Sequence, residues 1–401
     1  MSQTLTEIAQ KLIDTNKKVQ LIYAFNGIGK TRLSREVKEL IAPKSPETEE
    51  DTGIKIMYYN AFTEDLFYWD NDLTGDVDRK LLVRPNAYTD LALSFLKDEN
   101  QDGNIIINFQ HYATSSITPI FNDDFTEITF SYFSGGDNSE PNIKISKGEE
   151  SNFIWCIFYS LIEQITKLLN DKEEDRSTDK FNELEYIFID DPVSSLDDNN
   201  LIELAVAIAK LVKTSESNKL KFIITTHNPL FYNVISNELN NKQANKNPEI
   251  VTNSGVMKRW IYEENQSIKY KLKKQNDGRY NLIQLDRKTP FSYHLHLLLE
   301  LQKAKNNDQI EKYHFNFLRN VLEKTATFLG FDKWEELLPK IADNSPDPFA
   351  NRILNLSSHS AHAGEELAEV QENDKIKFIE LIDFLETEYK FSNLIAPNVT
   401  I

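Results

Sequence analysis

One cysteine in 401 residues, Cys156, leaves no partner for an internal disulfide and cannot supply a cysteine-rich zinc site, which fits a reducing compartment. No stretch of about 18 apolar residues occurs, so neither a spanning helix nor a membrane partner is expected. The opening segment from Met1 to Leu12 lacks a basic stretch followed by an apolar one, the pattern of an export signal. Together these absences lead us to expect a cytoplasmic protein. Positive charge is in deficit too, with 45 Lys and Arg against 63 Asp and Glu and a net charge of -18. Such a balance excludes bulk coating of DNA or of an anionic membrane, and confines any nucleic-acid contact to a local patch. No internal repeat is present, which excludes solenoids and propellers.

What is present is 40% hydrophobic content over a length that, at ~150 residues per domain, suggests two or three domains. Charge places the boundary: residues 1–265 hold 27 basic and 43 acidic side chains, residues 266–401 hold 18 and 20. Residues 266–330 alone hold 12 basic and 6 acidic, with Lys271, Lys273, Lys274, Arg287 and Lys288 among the former. A phosphate backbone would fit best there. The other reading is a strand edge kept from aggregating by its lysines. Short β-branched or aromatic runs (Val19 to Tyr23, Ile54 to Tyr59, Ile105 to Phe109, Glu127 to Phe133, Tyr186 to Ile189, Lys221 to Thr225) alternate with helical stretches such as Lys30 to Ile41 and Glu149 to Leu169. From Ser292 onward apolar residues recur every three or four positions. The expectation is an α/β first domain over 1–265 and a mostly α-helical second over 266–401.

The first chemical motif is Ala24-Phe25-Asn26-Gly27-Ile28-Gly29-Lys30-Thr31, directly after an apolar strand and before a helix. It is a P-loop in its proper context. Backbone N–H groups of Asn26 to Thr31 can surround a β-phosphate, Lys30 can reach β and γ oxygens, and Thr31 can hold Mg²⁺. Ala24 replaces the pattern's first glycine, which is harmless where φ is negative. The second motif is the apolar strand ending in Asp190-Asp191, followed by Ser194-Ser195-Leu196-Asp197. Asp190 suits the water shell of Mg²⁺, Asp191 the polarisation of the attacking water, and Ser195 with Asp197 a subunit seam. Thirty-six residues after Asp191, a strand delivers His227 where it could sense a γ-phosphate. This order of parts resembles the ABC-type ATPase head with mixed sheets.

Such heads need a signature loop before a helix. Phe133-Ser134-Gly135-Gly136-Asp137 is followed by no helical pattern and reads as a hairpin turn. Ser146-Lys147-Gly148-Glu149 leads straight into a long apolar helix whose N-terminus could hold the γ-phosphate of a nucleotide on another subunit, although acidic residues in a first turn are favoured without any ligand. That division of the site across two chains implies a homo-oligomer. Asn60, after the Ile54 to Tyr59 run, is the candidate metal-sensing group.

The runs LIYAFNGIGKTRLSRE, YYNAFTEDLFYWDNDL, KGEESNFIW, FIDDPVSSLDDN, FIITTHNPLFYNV and LRNVLEKTATFLG with SSHS closely resemble the PrrC-type anticodon nucleases, over nearly the whole chain. The related RloC group carries a coiled coil with a zinc-hook, for which one cysteine and 116 residues between Lys30 and Ser146 leave no room. The resemblance implies an ABC-type head binding ATP or GTP, with dTTP a further candidate, joined to a metal-independent RNase domain. That domain would cut tRNA, typically tRNA(Lys), next to the wobble base, for antiphage defence, with a type I restriction-modification complex as silencer. It also implies the catalytic group Arg319, Glu323 and His359, and Asp286 as the contact to the wobble base. A 2′-OH attacking its own 3′-phosphate needs a base, an acid and a cation, which these three side chains can supply. At i, i+4 on a helix, Arg319 and Glu323 share a face, as an ordinary surface ion pair also would. His362 competes with His359, and Asp286 is equally a turn residue. A transporter ATPase would not need the second domain, and a DNA-repair ATPase of the SMC or Rad50 type would need long heptad arms that are absent.

Overall fold

Five consecutive buried side chains, Val19–Tyr23, make β1, because a strand covered on both faces has no polar side to show. In the computed structural model the described residues are 2–43, 53–75, 77–113, 116–133, 139–192, 198–241, 250–252, 255–257, 262–275, 277–286, 291–340, 346–348 and 370–390. They fall into two units, Met1–Pro290 and Phe291–Ile401.

In the first unit α1 (Leu5–Asp14) precedes β1, followed by α2 (Lys30–Ile41), β2 (Ile56–Tyr59), α3 (Ala61–Glu64), β3 (Phe67–Asp70) and β4 (Lys80–Val83). Next come α4 (Ala87–Asp98), α5 (Asp102–Ala113), β5 (Ile117–Phe121), β6 (Glu127–Phe133), β7 (Ser139–Glu140) and α6 (Lys147–Asn170). The unit closes with β8 (Tyr186–Asp190), α7 (Asp198–Thr214), β9 (Lys221–Thr226), α8 (Pro229–Asn240), β10 (Ile250–Thr252), β11 (Gly255–Met257), β12 (Ser267–Lys274) and β13 (Tyr280–Leu285). A six-stranded sheet has the order β13-β12-β1-β9-β8-β2. All its neighbours are parallel except β12 and β13. A second, antiparallel sheet joins β3, β4, β6 and β5, with β7 on β6. Helices α1 and α2 cover one face of the larger sheet through Ile8, Leu12, Leu33 and Val37 against Ile22, Phe188 and Ile223. Each such fully buried side chain is worth ~1.5–3 kcal/mol.

Two expectations are corrected. Ile105 to Phe109 is not a strand but the middle of α5, where Ile105 and Phe109 are fully buried one turn apart and Ile107 is exposed. Packing of that stripe against α6 overrides the β preference of three isoleucines. The boundary after residue 265 also fails: β12 pairs with β1, Tyr23 opposite Lys271, and β13 pairs with β12, so residues 267–285 complete the first unit's sheet. The hairpin reading of Phe133 to Asp137 fits the antiparallel pairing of Phe133 with Ser139, although residues 134–138 lie outside the described residues.

The described part of the second unit is helical, as the spacing predicts: α9 (Tyr293–Asn306), α10 (Lys312–Leu329) and α11 (Glu372–Glu388). Leu301, Phe315, Leu318, Leu322, Phe378 and Leu381 form its core. Gly330, at φ 77°, ends α10 in the left-handed conformation that an L side chain resists.

Candidate nucleotide and RNA sites

The nucleotide site grows from three adjacent strand ends. Parallel pairing puts Tyr23 beside Thr226 and Thr225 beside Asp190, so the loops after β1, β8 and β9 emerge together. Backbone N–H groups of Ala24 and Asp191 donate to the carbonyls of Thr226 and Thr225, both at 2.9 Å. Gly27 (φ 77°) and Gly29 (φ 110°) carry the turn through left-handed backbone, and Gly29 caps α2 with no side-chain cap bond among the described residues. That helix terminus is thereby left open to a phosphate.

The ionisable groups then close on one another. Thr31 Oγ1 donates to Asp190 Oδ2 at 2.7 Å, and the buried Thr225 hydroxyl donates to Asp190 Oδ1. Burial pushes the Asp190 carboxyl above its ordinary pKa, and the two hydroxyls oppose that rise. Lys30, 8% exposed, lies 3.2 Å from Asp191 Oδ2, and its ammonium also donates to Asn26 Oδ1 at 3.2 Å. His227 Nδ1 sits 2.5 Å from the same Asp191 oxygen, while the His227 backbone N–H and the Thr226 hydroxyl donate to Asp191 Oδ1. Burial alone would raise the Asp191 carboxyl, but the His227 hydrogen bonds and the Lys30 charge outweigh it and hold that pKa below the usual value. Asp191 adopts this position at φ 55°, a left-handed conformation that Asp tolerates better than most residues. The donor set fits a magnesium nucleotide: Thr31 and Asp190 already converge on one point, as hard oxygen ligands to Mg²⁺ must.

Asn26, Gly27, Ile28, Gly29, Lys30, Thr31, Asp190, Asp191 and His227 are thus brought together as expected. Asn60 follows β2, whose Tyr59 pairs with Ile189, but it is buried and donates to Ser34 Oγ, which in turn donates to the Thr31 carbonyl. Those two bonds link it through Ser34 to the residue that would hold the metal. Ser146, Lys147, Gly148 and Glu149 are not bonded to this cluster among the described residues. Ser146 caps α6, accepting from the Glu149 N–H while Glu149 accepts from the Ser146 N–H, and Lys147 pairs with the buried Glu150 at 2.6 Å. Glu150 is held from the other side by Trp69 Nε1 at 2.9 Å, which ties this helix end to β3. Ser195 and Asp197 lie outside the described residues. The residues sequence reasoning missed are Thr225 and Thr226, whose signal was two hydroxyls ending an apolar strand directly before His227.

On α10, Arg319 Nε is 2.8 Å from Glu323 Oε1, and the Arg319 guanidinium lies 5.5 Å from the centre of the Trp334 ring. His359, its rival His362, Arg287 and Lys288 lie outside the described residues. Two other histidines are held by neighbours: His314 Nδ1 accepts from the Glu311 N–H at 2.9 Å, and His111 Nε2 lies 2.6 Å from Glu203.

The basic stretch does not form one exposed patch. Lys269 and Lys271 are each 3% exposed, Lys273 is half-buried and Lys274 exposed. Alternation along β12 turns Lys269 and Lys271 to one face, their ammonium groups 5.6 and 5.8 Å from the rings of Tyr232 and Phe25. Burial lowers the Lys269 pKa, and the nearby Asp286 carboxylate opposes that. Asp286 is exposed at the end of β13, in the first unit. Cys156 is buried, and burial pushes its thiol far above the ordinary value, so it is no nucleophile.

A family model described as an AAA domain matches residues 90–385. An anticodon nuclease of Escherichia coli is similar over nearly the entire chain, at 47% identity across 418 aligned residues, 98% of this chain and 98% of that protein. Among solved structures, an Smc head bound to the C-winged helix domain of ScpA aligns with 68% of this chain and 91% of its own at 12% identity and a TM-score of 0.31. CbiO1 from Clostridium perfringens, part of an ABC transporter complex, aligns with 56% and 70% at 12% identity and a TM-score of 0.26. No helix among the described residues is long and apolar enough to cross a membrane.

Proposed function

Because this chain belongs to the anticodon nuclease family and to the AAA-domain family, we propose that it is a nucleotide-gated endoribonuclease that cuts tRNA in the anticodon loop. The observation that carries this reading is a closed Lys30–Asp191–His227 cluster in one unit together with an accessible Arg319–Glu323 pair in the other, along a chain similar end to end to an anticodon nuclease. In the first unit the bound nucleotide would supply the free energy of gating. Lys30 would leave Asp191 for the phosphates, freeing that carboxylate to polarise a water, and Thr31 and Asp190 would hold Mg²⁺. Ser146 and Gly148 would complete the site of a second copy.

In the second unit the 2′-OH on the 5′ side of the cut, next to the wobble base, would attack its own 3′-phosphate. Glu323 and His359 share the base and acid roles, the proton leaving the 2′-oxygen and another reaching the departing 5′-oxygen, and Arg319 holds the charge that builds on phosphorus. The products are a 2′,3′-cyclic phosphate and a 5′-hydroxyl. The RNA would be tRNA(Lys), the setting the cytoplasm, and the silencer a type I restriction-modification complex.

The test is incubation of the purified chain with total tRNA plus ATP, GTP or dTTP, with and without chelator, and mapping of the termini. Discrete anticodon-loop fragments lost in Arg319→Ala, Glu323→Ala and His359→Ala, each by about 10²- to 10⁴-fold, with nucleotide hydrolysis retained, support the reading. Hydrolysis stimulated by DNA with no RNA cut would favour the repair-type ATPase instead.

A further inference from the structure

A cavity of about 380 Å³ opens in the second unit between α9 and α10, lined by Leu295, Leu298, Val321 and Leu329 with His294, Lys324, Phe328 and Tyr389 at its polar and aromatic edge. On α10 the lining positions 321, 324, 325 and 328 follow helical spacing. At 3.6 residues per turn, Arg319 and Glu323 stand roughly opposite Val321, about one helix diameter of ~10 Å away. The cavity is therefore not the place where the phosphate reacts.

Its chemistry is specific. Among the described residues no carboxylate lines it, although acids outnumber bases in residues 291–401, and the one permanent charge there is Lys324. Lys324 Nζ lies 5.8 Å from the centre of the Phe328 ring, and Phe328 is 82% exposed, an aromatic face left to water at the mouth of an apolar hole. Burial, with the Lys324 charge second, lowers the pKa of His294, which favours a neutral imidazole able both to donate and to accept. An apolar floor, a bare aromatic face, a neutral hydrogen-bonding ring and a cation outside match a nucleobase with its phosphate.

We infer that this cavity receives an unstacked base of the RNA, one flanking the cut, stacked on Phe328 with its phosphate at Lys324. The inference rests on the ribonuclease reading and adds to it a recognition site remote from the reacting atoms. Because the base does not touch the scissile phosphate, the site acts on affinity and on the choice of RNA.

The experiment uses the full chain and an anticodon stem-loop RNA carrying 2-aminopurine at each loop position in turn. Cleavage gives kcat and KM, and fluorescence reports stacking. Phe328→Ala is expected to raise KM about 5- to 100-fold with kcat little changed, and to abolish the fluorescence change at one loop position. Phe328→Trp should keep both, while Phe328→Leu should behave as Phe328→Ala. An apolar protein segment as occupant would be satisfied by Phe328→Leu, and a shift in sedimentation on Phe328→Ala would mark the face as a contact between copies; either result overturns the inference. So does an unchanged KM with all variants in a chain that cuts RNA normally. A wild-type chain that cuts no tRNA under any nucleotide would overturn the ribonuclease reading itself.

Discussion

Replacing Lys30 by Ala tests whether the head is held together by the same charges that we propose hold phosphate. Lys30 and Asp191 are 8% and 18% exposed and 3.2 Å apart. Removing one partner of a buried pair costs ~3–5 kcal/mol when nothing else compensates. Asp191 keeps its bonds from His227 and Thr226, so we expect less than that range, about 2–3 kcal/mol, for Lys30→Ala. Denaturant unfolding without nucleotide, for Lys30→Ala, Asp191→Asn and the double variant, closes a cycle whose coupling should exceed about 1 kcal/mol. Acid sharpens the test. The folded Asp191 carboxyl lies below the ordinary 3.8, so its contribution is complete above that value and is lost as pH falls through the lower folded pKa. Without Lys30 the lowering shrinks, and the stability gap between wild type and Lys30→Ala should close below pH 3.8. Asp190, raised by burial, moves oppositely, since its protonation favours the folded state. Single effects that add within ~0.5 kcal/mol, or a gap constant down to pH 3, would refute the pairing.

Thr225→Val keeps the shape of a fully buried side chain and removes one of two hydroxyls on Asp190, a bond to a charged group worth ~1.5–3 kcal/mol; nucleotide hydrolysis should fall about 10- to 100-fold and the Mg²⁺ requirement rise. An unchanged Mg²⁺ titration would reduce Thr225 to packing. Mixing Lys30→Ala chains with Ser146→Arg chains should restore about one working composite site per heterodimer, whereas a fully active monomer in sedimentation would remove the seam. Lys274→Ala should lower the salt dependence of tRNA binding by about one phosphate contact, and Lys271→Ala, at 3% exposure, should leave the slope alone and lower stability. Asp286→Asn, at an exposed strand end, should change which tRNAs are cut with no change of slope if the carboxylate reads a base.

The phosphate loop was legible because its requirements are local: glycines at left-handed positions, a lysine at a helix start and carboxylates at a strand end follow from neighbours in sequence. β12 was not. Its Lys269, Lys271, Lys273 alternation reads as a solvated edge, yet its partner is β1, some 250 residues earlier, and the Lys269 and Lys271 ammonium groups lie over Tyr232 and Phe25. No local pattern announces a parallel neighbour that distant. α5 misled for the opposite reason, since three isoleucines in a row outweighed the i, i+4 burial of Ile105 and Phe109. The Arg319–Glu323 pair was legible as a shared helix face, while its chemistry rested on resemblance.

The late arrival of β12 and β13 also sets an order of synthesis. The sheet that supports Lys30 lacks its outer two strands until residue 285 has emerged, and Tyr280 bonds back to Gln3, near the start of the chain. At ~5–20 residues per second that is a wait of tens of seconds before the sheet is complete. The helix carrying Arg319 and Glu323 comes later still, after α9. The sheet that carries Lys30 is therefore synthesised whole before Arg319 and Glu323, and if that pair cuts RNA as proposed, a nascent chain interrupted before residue 319 holds the sheet without the cutting groups.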